Sequence, residues 1–198
     1  MKQYVQEFRE LLFVKSVKGE RLILISIIAF ALFLRLFSIE KPMLDRTLWK
    51  EIDHIEISSN YVTNHHNFIK PTITWPAEPP RVTAMELPLV PYLTSFLYPL
   101  FGKNPYTVRF ITLLSFGLLP LIMFWLVRLE FGAILALLSA FFAAFIPLFN
   151  RQSAIMFSEP PLILFSVLSV YFFYQYLEKN TRRYLIYTVI AFSITVSL

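Results

Sequence analysis

The sequence predicts an all-α protein: a polytopic bundle of transmembrane helices with a large first extracytoplasmic loop that carries interfacial helices. Three observations predict it. Apolar runs recur along the chain, and about twenty residues at ~1.5 Å rise cross a ~30 Å hydrocarbon core. The composition is 57% hydrophobic and only 16% charged, with mean hydropathy +0.60. Its 21 Phe and 10 Tyr against four Gly suit lipid-facing and interfacial surfaces. One polar stretch, 40–89, interrupts this pattern and holds seven of the thirteen carboxylates and all three histidines.

The elements follow in order. Residues 1–20 put Val5, Phe8, Leu11, Leu12 and Val14 on one stripe and most basic residues elsewhere. That pattern reads as a cytoplasmic amphipathic lead-in, either lying on an anionic membrane surface or solvated. It lacks the form of a cleavable signal peptide. The first span is 21–39, interrupted only by Arg35, which either snorkels to the interface or faces a polar cavity and helps hold an anionic head group. The extracytoplasmic loop is 40–106. Within it, Leu48, Ile52 and Ile55 recur at helical spacing and predict a helix over LWKEIDHIEISSNYV, lying against the membrane. Later in the loop, LVPYLTSFLYPLF is too short and too proline-broken to span, and reads as an interfacial or re-entrant helix. Three more spans follow at 107–127, 131–149 and 160–177, with a short connection at Arg128 and Glu130. The last run, 184–198, reaches only ~22 Å as a helix and reads as a truncated fifth span, so the chain is expected to be the N-terminal piece of a longer protein.

Charge sets orientation and excludes function classes. Basic residues flank the first span, the 128–130 connection and the end of the fourth span, all on one side if spans alternate, and that side is cytoplasmic. The loop then faces outward or into a lumen, and the protein is a multi-pass integral membrane protein with membrane lipid as a partner. The net charge of +5 forms no separate patch, which argues against nucleic acid. With no cysteine there is no disulfide framework, thiol nucleophile or Cys-based zinc site.

If the chain does chemistry, the loop holds it. Asp53 and Glu56 share a helix face, with Trp49 one turn before Asp53 and His54 beside it. From spacing the pair is either an ordinary solvated helix face or, held at the interface beside an aromatic, a general base towards an acceptor hydroxyl or amine. Glu86 sits in MELPLVPYL where the chain returns to the membrane, and spacing leaves it as either a helix cap or a site residue. His65 and His66 are adjacent, which does not let both point readily at one ion. An incomplete oxygen-ligand site for a divalent cation, using Asp53 and Glu86, stays open. Arg109 and Arg151 fall at outer ends of spans, where each either meets phosphate or anchors the interface. No phosphate-cradling glycine loop, HExxH or GxSxG is present.

The order of WKEIDHIEISSNYV, PTITW, ELPLVPYLTSFLYPLFG, Arg109, a short-looped hairpin and RQSAIMFSEPPLILF resembles the N-terminal half of C-superfamily membrane glycosyltransferases. It is similar to the protein O-mannosyltransferases, the lipid A aminoarabinose transferases and their bacterial relatives of unassigned acceptor. The resemblance implies a polyprenyl-phosphate monosaccharide donor, inverting transfer on the extracytoplasmic face and an acceptor left open. It implies that Asp53 activates the acceptor, that Glu86 borders the same cavity, and that Arg109 and the Arg151/Glu159 turn lie near the donor phosphate. Relatives carry an Asp-Glu pair early in this loop; here Asp45 precedes Arg46, so Asp45 is held as a second catalytic candidate. The alternative expectation is a non-catalytic membrane fragment or assembly partner, because the half that supplies much of the donor and acceptor pockets in relatives is missing. On either expectation the transfer activity belongs to the full-length parent, and the fragment alone is expected to be inactive.

Overall fold

The computed structural model describes residues 17–39, 49–63, 67–74, 81–83, 86–152 and 155–198. The expected lead-in helix falls largely, and Asp45, His65 and His66 entirely, outside these residues. The described residues are mostly helical, with one two-stranded antiparallel ladder, β1 (Thr72–Ile73) on β2 (Arg81–Val82), as the exception to an all-α reading.

Helix α1 (Glu20–Ile39) fills the first expected span. Helix α2 (Trp49–Thr63) covers the predicted loop helix, but a different face is buried. Glu51, His54, Ile55, Ser58 and Tyr61 turn inward, while Trp49 and Ile52 stay outside. The stripe read from Ile52 and Ile55 is therefore rotated, because an ionic contact described below sets the helix phase. The proline-broken segment forms two short helices, α3 (Leu89–Ser95) and α4 (Tyr98–Phe101). Tyr92 of α3 stacks edge-on against Tyr61, Phe68 and Phe96, with ring centroids 5.4, 4.8 and 5.0 Å away. These contacts join α2 to the returning chain.

The 107–127 segment and most of 131–149 form a helical hairpin, α5 (Pro105–Phe145), reversed at Gly132. It starts sharply: the Asn104 side chain accepts from the Thr107 N–H at 3.0 Å and Pro105 takes the first helical position. At Gly132 the backbone adopts φ 78°, ψ −177°, a conformation open essentially to glycine alone. Phe124 packs with Ala136 and Ala140, and the Ser139 hydroxyl donates to the Met123 carbonyl. In an unbroken helix Met123 and Ser139 would lie about 24 Å apart. The arms 105–131 and 133–145 are thus antiparallel, and the turn falls at Gly132 rather than at Arg128 and Glu130. Pro147 helps end the second arm, and a short helix α6 (Pro147–Gln152) follows.

Small residues set the packing distance. Ala133, Ala136, Ala140, Ala143 and Ala144 are all buried at three- and four-residue spacing. Gly117 lets Leu32 of α1 approach so that an added Cβ would lie 2.9 Å from Leu32 Cδ2. Close approach through small residues is how helices associate where lipid offers no hydrophobic gradient. Helix α7 (Glu159–Lys179) lays Leu164 against Phe116, Leu119 and Ile122 of the first α5 arm. Asn180, in the left-handed region at φ 47°, ends it, and α8 (Arg182–Ser197) returns alongside. Among the described residues, Pro105–Phe145, with its two arms antiparallel about Gly132, and Glu159–Lys179 are the stretches long and apolar enough to cross a membrane.

Polar contacts gather at the two ends of this bundle. At one end Arg128 pairs with Glu20 at 2.7 Å, joining the start of α1 to the turn of α5. At the other, the last turn of α8 reaches the loop: Leu87 N–H donates to the Ser197 carbonyl at 2.7 Å.

Candidate functional site

Glu51 stands in the first turn of α2, one turn before Ile55 and two before Ser58, so helical phase carries it to the buried face. There it is fully buried and meets Arg109 from the first α5 arm, itself 1% exposed. Arg109 Nε donates to Glu51 Oε1 at 2.8 Å and Nη2 to Oε2 at 3.1 Å, a two-pronged pair. Glu51 Oε1 also accepts from Met156 N–H at 3.0 Å, and Arg109 Nη1 donates to the Ile39 carbonyl. One ion pair therefore ties the end of α1, the start of α2, the start of α5 and the turn before α7. His54, one turn on, adds a second tie through Nδ1 to the Met156 carbonyl at 3.2 Å, which requires the proton on Nδ1. Burial lowers the His54 imidazole below its ordinary value, with the Met156 bond opposing the shift.

Beside this buried junction lies an exposed charged group. Lys50 Nζ stands 3.4 Å from Glu159, at the first position of α7, and 3.6 Å from Glu86 in the loop. The Glu159 carboxylate foremost raises the Lys50 ammonium above its ordinary value; partial burial opposes this and Glu86 adds to it. Asp53 follows Lys50 by three residues on the same side of α2. Partial burial raises its carboxyl, Glu56 adds to the rise, and His54 opposes it. Glu56 accepts the Thr74 N–H at 2.6 Å and so fastens α2 to the small ladder.

The expected site residues are thus distributed as follows. Glu86 meets Glu159 through Lys50, and Asp53 lies one helical turn away. Arg109 faces inward and holds α2. Arg151 occupies the last turn of α6, with its side chain outside the described set, as Asp45 is entirely. Glu51 and Lys50 were not singled out from the sequence; the phase shared by Glu51, Ile55 and Ser58 was the available signal. Among the described residues no three His, Asp or Glu side chains gather as a metal ligand set. Glu86 and Glu159 meet across an ammonium instead.

A family model described as dolichyl-phosphate-mannose-protein mannosyltransferase matches residues 80–197, more than half of the chain. Comparison with curated proteins and with solved structures gave no match. The matched segment contains Glu86, Arg109 and Glu159, while α2 with Lys50, Glu51 and Asp53 precedes it.

Proposed function

We propose a function from one premise: the chain belongs to the dolichyl-phosphate-mannose-protein mannosyltransferase family. The reading is that it takes part in moving a monosaccharide, with mannose the first donor to test, from a polyprenyl phosphate to an acceptor on the extracytoplasmic face. The observation that carries it is the convergence of Lys50, Glu86 and Glu159 from three separate segments, with Asp53 one turn along α2. Basic residues at the Glu20–Arg128 end support placing that end in the cytoplasm and the Lys50 group outside.

In this reading Asp53 takes the proton from the acceptor hydroxyl or amine. The acceptor atom attacks the anomeric carbon, the bond from that carbon to the phosphate oxygen breaks, and the polyprenyl phosphate leaves with the electron pair. Attack from the face opposite the phosphate inverts the centre. Burial that raises the Asp53 carboxyl makes its carboxylate a stronger base. Lys50 holds Glu86 and Glu159 at the edge of the same space, and Arg151 is kept as an outer-rim residue near the donor phosphate. Arg109 acts at one remove, by fixing α2.

Release of polyprenyl phosphate from polyprenyl-phosphate mannose, by the intact protein in lipid discs with membrane extract as acceptor source, tests the reading. Asp53→Asn is expected to slow release by about 100-fold or more. An unchanged rate removes Asp53 as the base, and no release by the unaltered protein overturns the reading as a whole.

A further inference from the structure

The Gly132 end of the bundle carries a pocket that the transfer reading does not use. Leu164 of α7 packs on Phe116, Leu119 and Ile122, and further along Trp125 meets Tyr171 with ring centroids 6.3 Å apart. Helix α7 therefore runs parallel to the first α5 arm, and its last turn lies level with the reversal at Gly132. Between the two helices Trp125, Arg128, Leu129 and Tyr171 line a pocket of about 390 Å³. Trp125 stands about 10 Å inside the end of its arm, at ~1.5 Å per residue. Trp and Tyr collect at that depth, against lipid head groups.

The polar groups of the pocket are donors. Arg128 Nη1 stands 2.7 Å from Glu20 Oε1, and the guanidinium lies over the Phe124 ring at 5.5 Å. Its Nε and Nη2 have no hydrogen bond among the described residues, on a side chain that is 35% exposed. Gln175, 5% exposed, donates from Nε2 to the Tyr171 hydroxyl oxygen at 3.3 Å. That oxygen is engaged as an acceptor, and its own O–H is left to donate outward. The Trp125 indole adds an N–H that can only donate. Among the described residues no carboxylate lines the pocket, and Glu20 takes one edge of Arg128 from outside it. Arg21, Lys179, Arg182 and Arg183 are exposed at the same end and outnumber the exposed Glu130 and Glu178 there. A donor-only pocket beside a half-engaged guanidinium fits an oxyanion, and at this depth that oxyanion is a lipid phosphate.

We propose that Trp125, Arg128 and Tyr171 form a head-group site for an anionic phospholipid, with phosphate oxygens accepting from the outer edge of Arg128 and from the Tyr171 hydroxyl. The bound lipid joins the first α5 arm to α7. It lies about 28 Å along that arm from Arg109, so it is no substrate of the transfer reaction. The head-group chemistry rests on the pocket; placing the lipid in the cytoplasmic leaflet rests on the orientation proposed above.

Native mass spectrometry of the intact protein provides the test, after release from discs of phosphatidylcholine mixed with phosphatidylglycerol. The unaltered protein is expected to retain phosphatidylglycerol about fivefold better than phosphatidylcholine, the preference one arginine near an anionic surface confers. Arg128→Gln should abolish that preference, and Tyr171→Phe, which removes only the hydroxyl, should lower it. Glu20→Gln releases the engaged edge of Arg128 and should raise it. If Glu20→Gln and Arg128→Gln lose the lipid together, the pair acts only as a structural tie and the site is overturned. Arg182→Gln, exposed at the same end but outside the pocket, should change little; a loss equal to that of Arg128→Gln indicates diffuse charge attraction and overturns the site as well. Equal retention of the two lipids by the unaltered protein does the same. Displacement by inorganic phosphate as effective as by short-chain phosphatidylglycerol overturns the lipid assignment. Labelling of Lys179→Cys in sealed right-side-out vesicles by a membrane-impermeant thiol reagent, above the unaltered background, overturns the orientation and leaves the pocket's chemistry standing.

Discussion

Arg109 and Glu51, 58 residues apart, form a two-pronged ion pair with almost no solvent exposure. A buried pair is a poor source of net stability against an apolar replacement, but breaking one partner leaves an uncompensated charge. Arg109→Gln is expected to destabilise by about 3–5 kcal/mol. The double variant Glu51→Gln/Arg109→Gln should lose less than the two single losses added. Thermal midpoints in lipid discs for the four species give the coupling, and additive losses would show that the pair does not hold α2.

The exposed bridges beside it should behave differently. Lys50, Glu86 and Glu159 are half-open to solvent, where such a contact contributes about 0–1 kcal/mol. Lys50→Met and Glu86→Gln are therefore expected to leave the thermal midpoint nearly unchanged while lowering polyprenyl phosphate release. A change in stability as large as that from Arg109→Gln would assign these residues to the scaffold instead.

Two glycines should separate cleanly. At Gly132 an alanine meets the strained backbone at φ 78°, ψ −177°, and the expected loss is about 1–3 kcal/mol. Gly117→Ala pushes only on the flexible end of Leu32, and its helix gains about 0.5–1 kcal/mol of propensity. Its net effect should stay within about 1 kcal/mol. Midpoint measurements on both variants check the contrast, and equal losses would contradict it.

The titration windows of two neighbouring groups run in opposite senses. His54 is lowered in the folded chain from 6.5, so the unfolded state binds more protons between the two values. Its contribution to stability is full above 6.5 and is lost as pH falls through that window. Asp53 is raised from 3.8, so the folded state binds more protons there, and stability falls as pH rises from 3.8 to the folded value. His54→Gln should flatten the midpoint curve just below 6.5. Asp53→Asn should flatten it only nearer 3.8 and should raise the midpoint at neutral pH. An unchanged curve in either variant excludes that group as the source.

Much of the fold was legible in local pattern. The loop helix read from LWKEIDHIEISSNYV appears as Trp49–Thr63, and the broken return segment as Leu89–Ser95 and Tyr98–Phe101. The reversal at Gly132 was less legible, because the flanking charges Arg128 and Glu130 signalled a turn three residues early while remaining in helical backbone. Within the candidate site, spacing left Glu86 and Asp53 undecided, and only the family resemblance singled them out. The partners of Arg109 and Lys50 were legible in neither.

The sequence by itself determined the family resemblance, the helical class, the order of the apolar segments and the stretch where polar groups collect. Run length, periodicity and proline placement act over a few turns and are written into neighbouring residues. The tertiary structure alone decided which carboxylate of α2 is buried. Glu51, Asp53 and Glu56 lie within two turns and offer the same chemistry. Their fates differ because Arg109 and the Met156 N–H, 58 and 105 residues from Glu51, meet only one face of that helix.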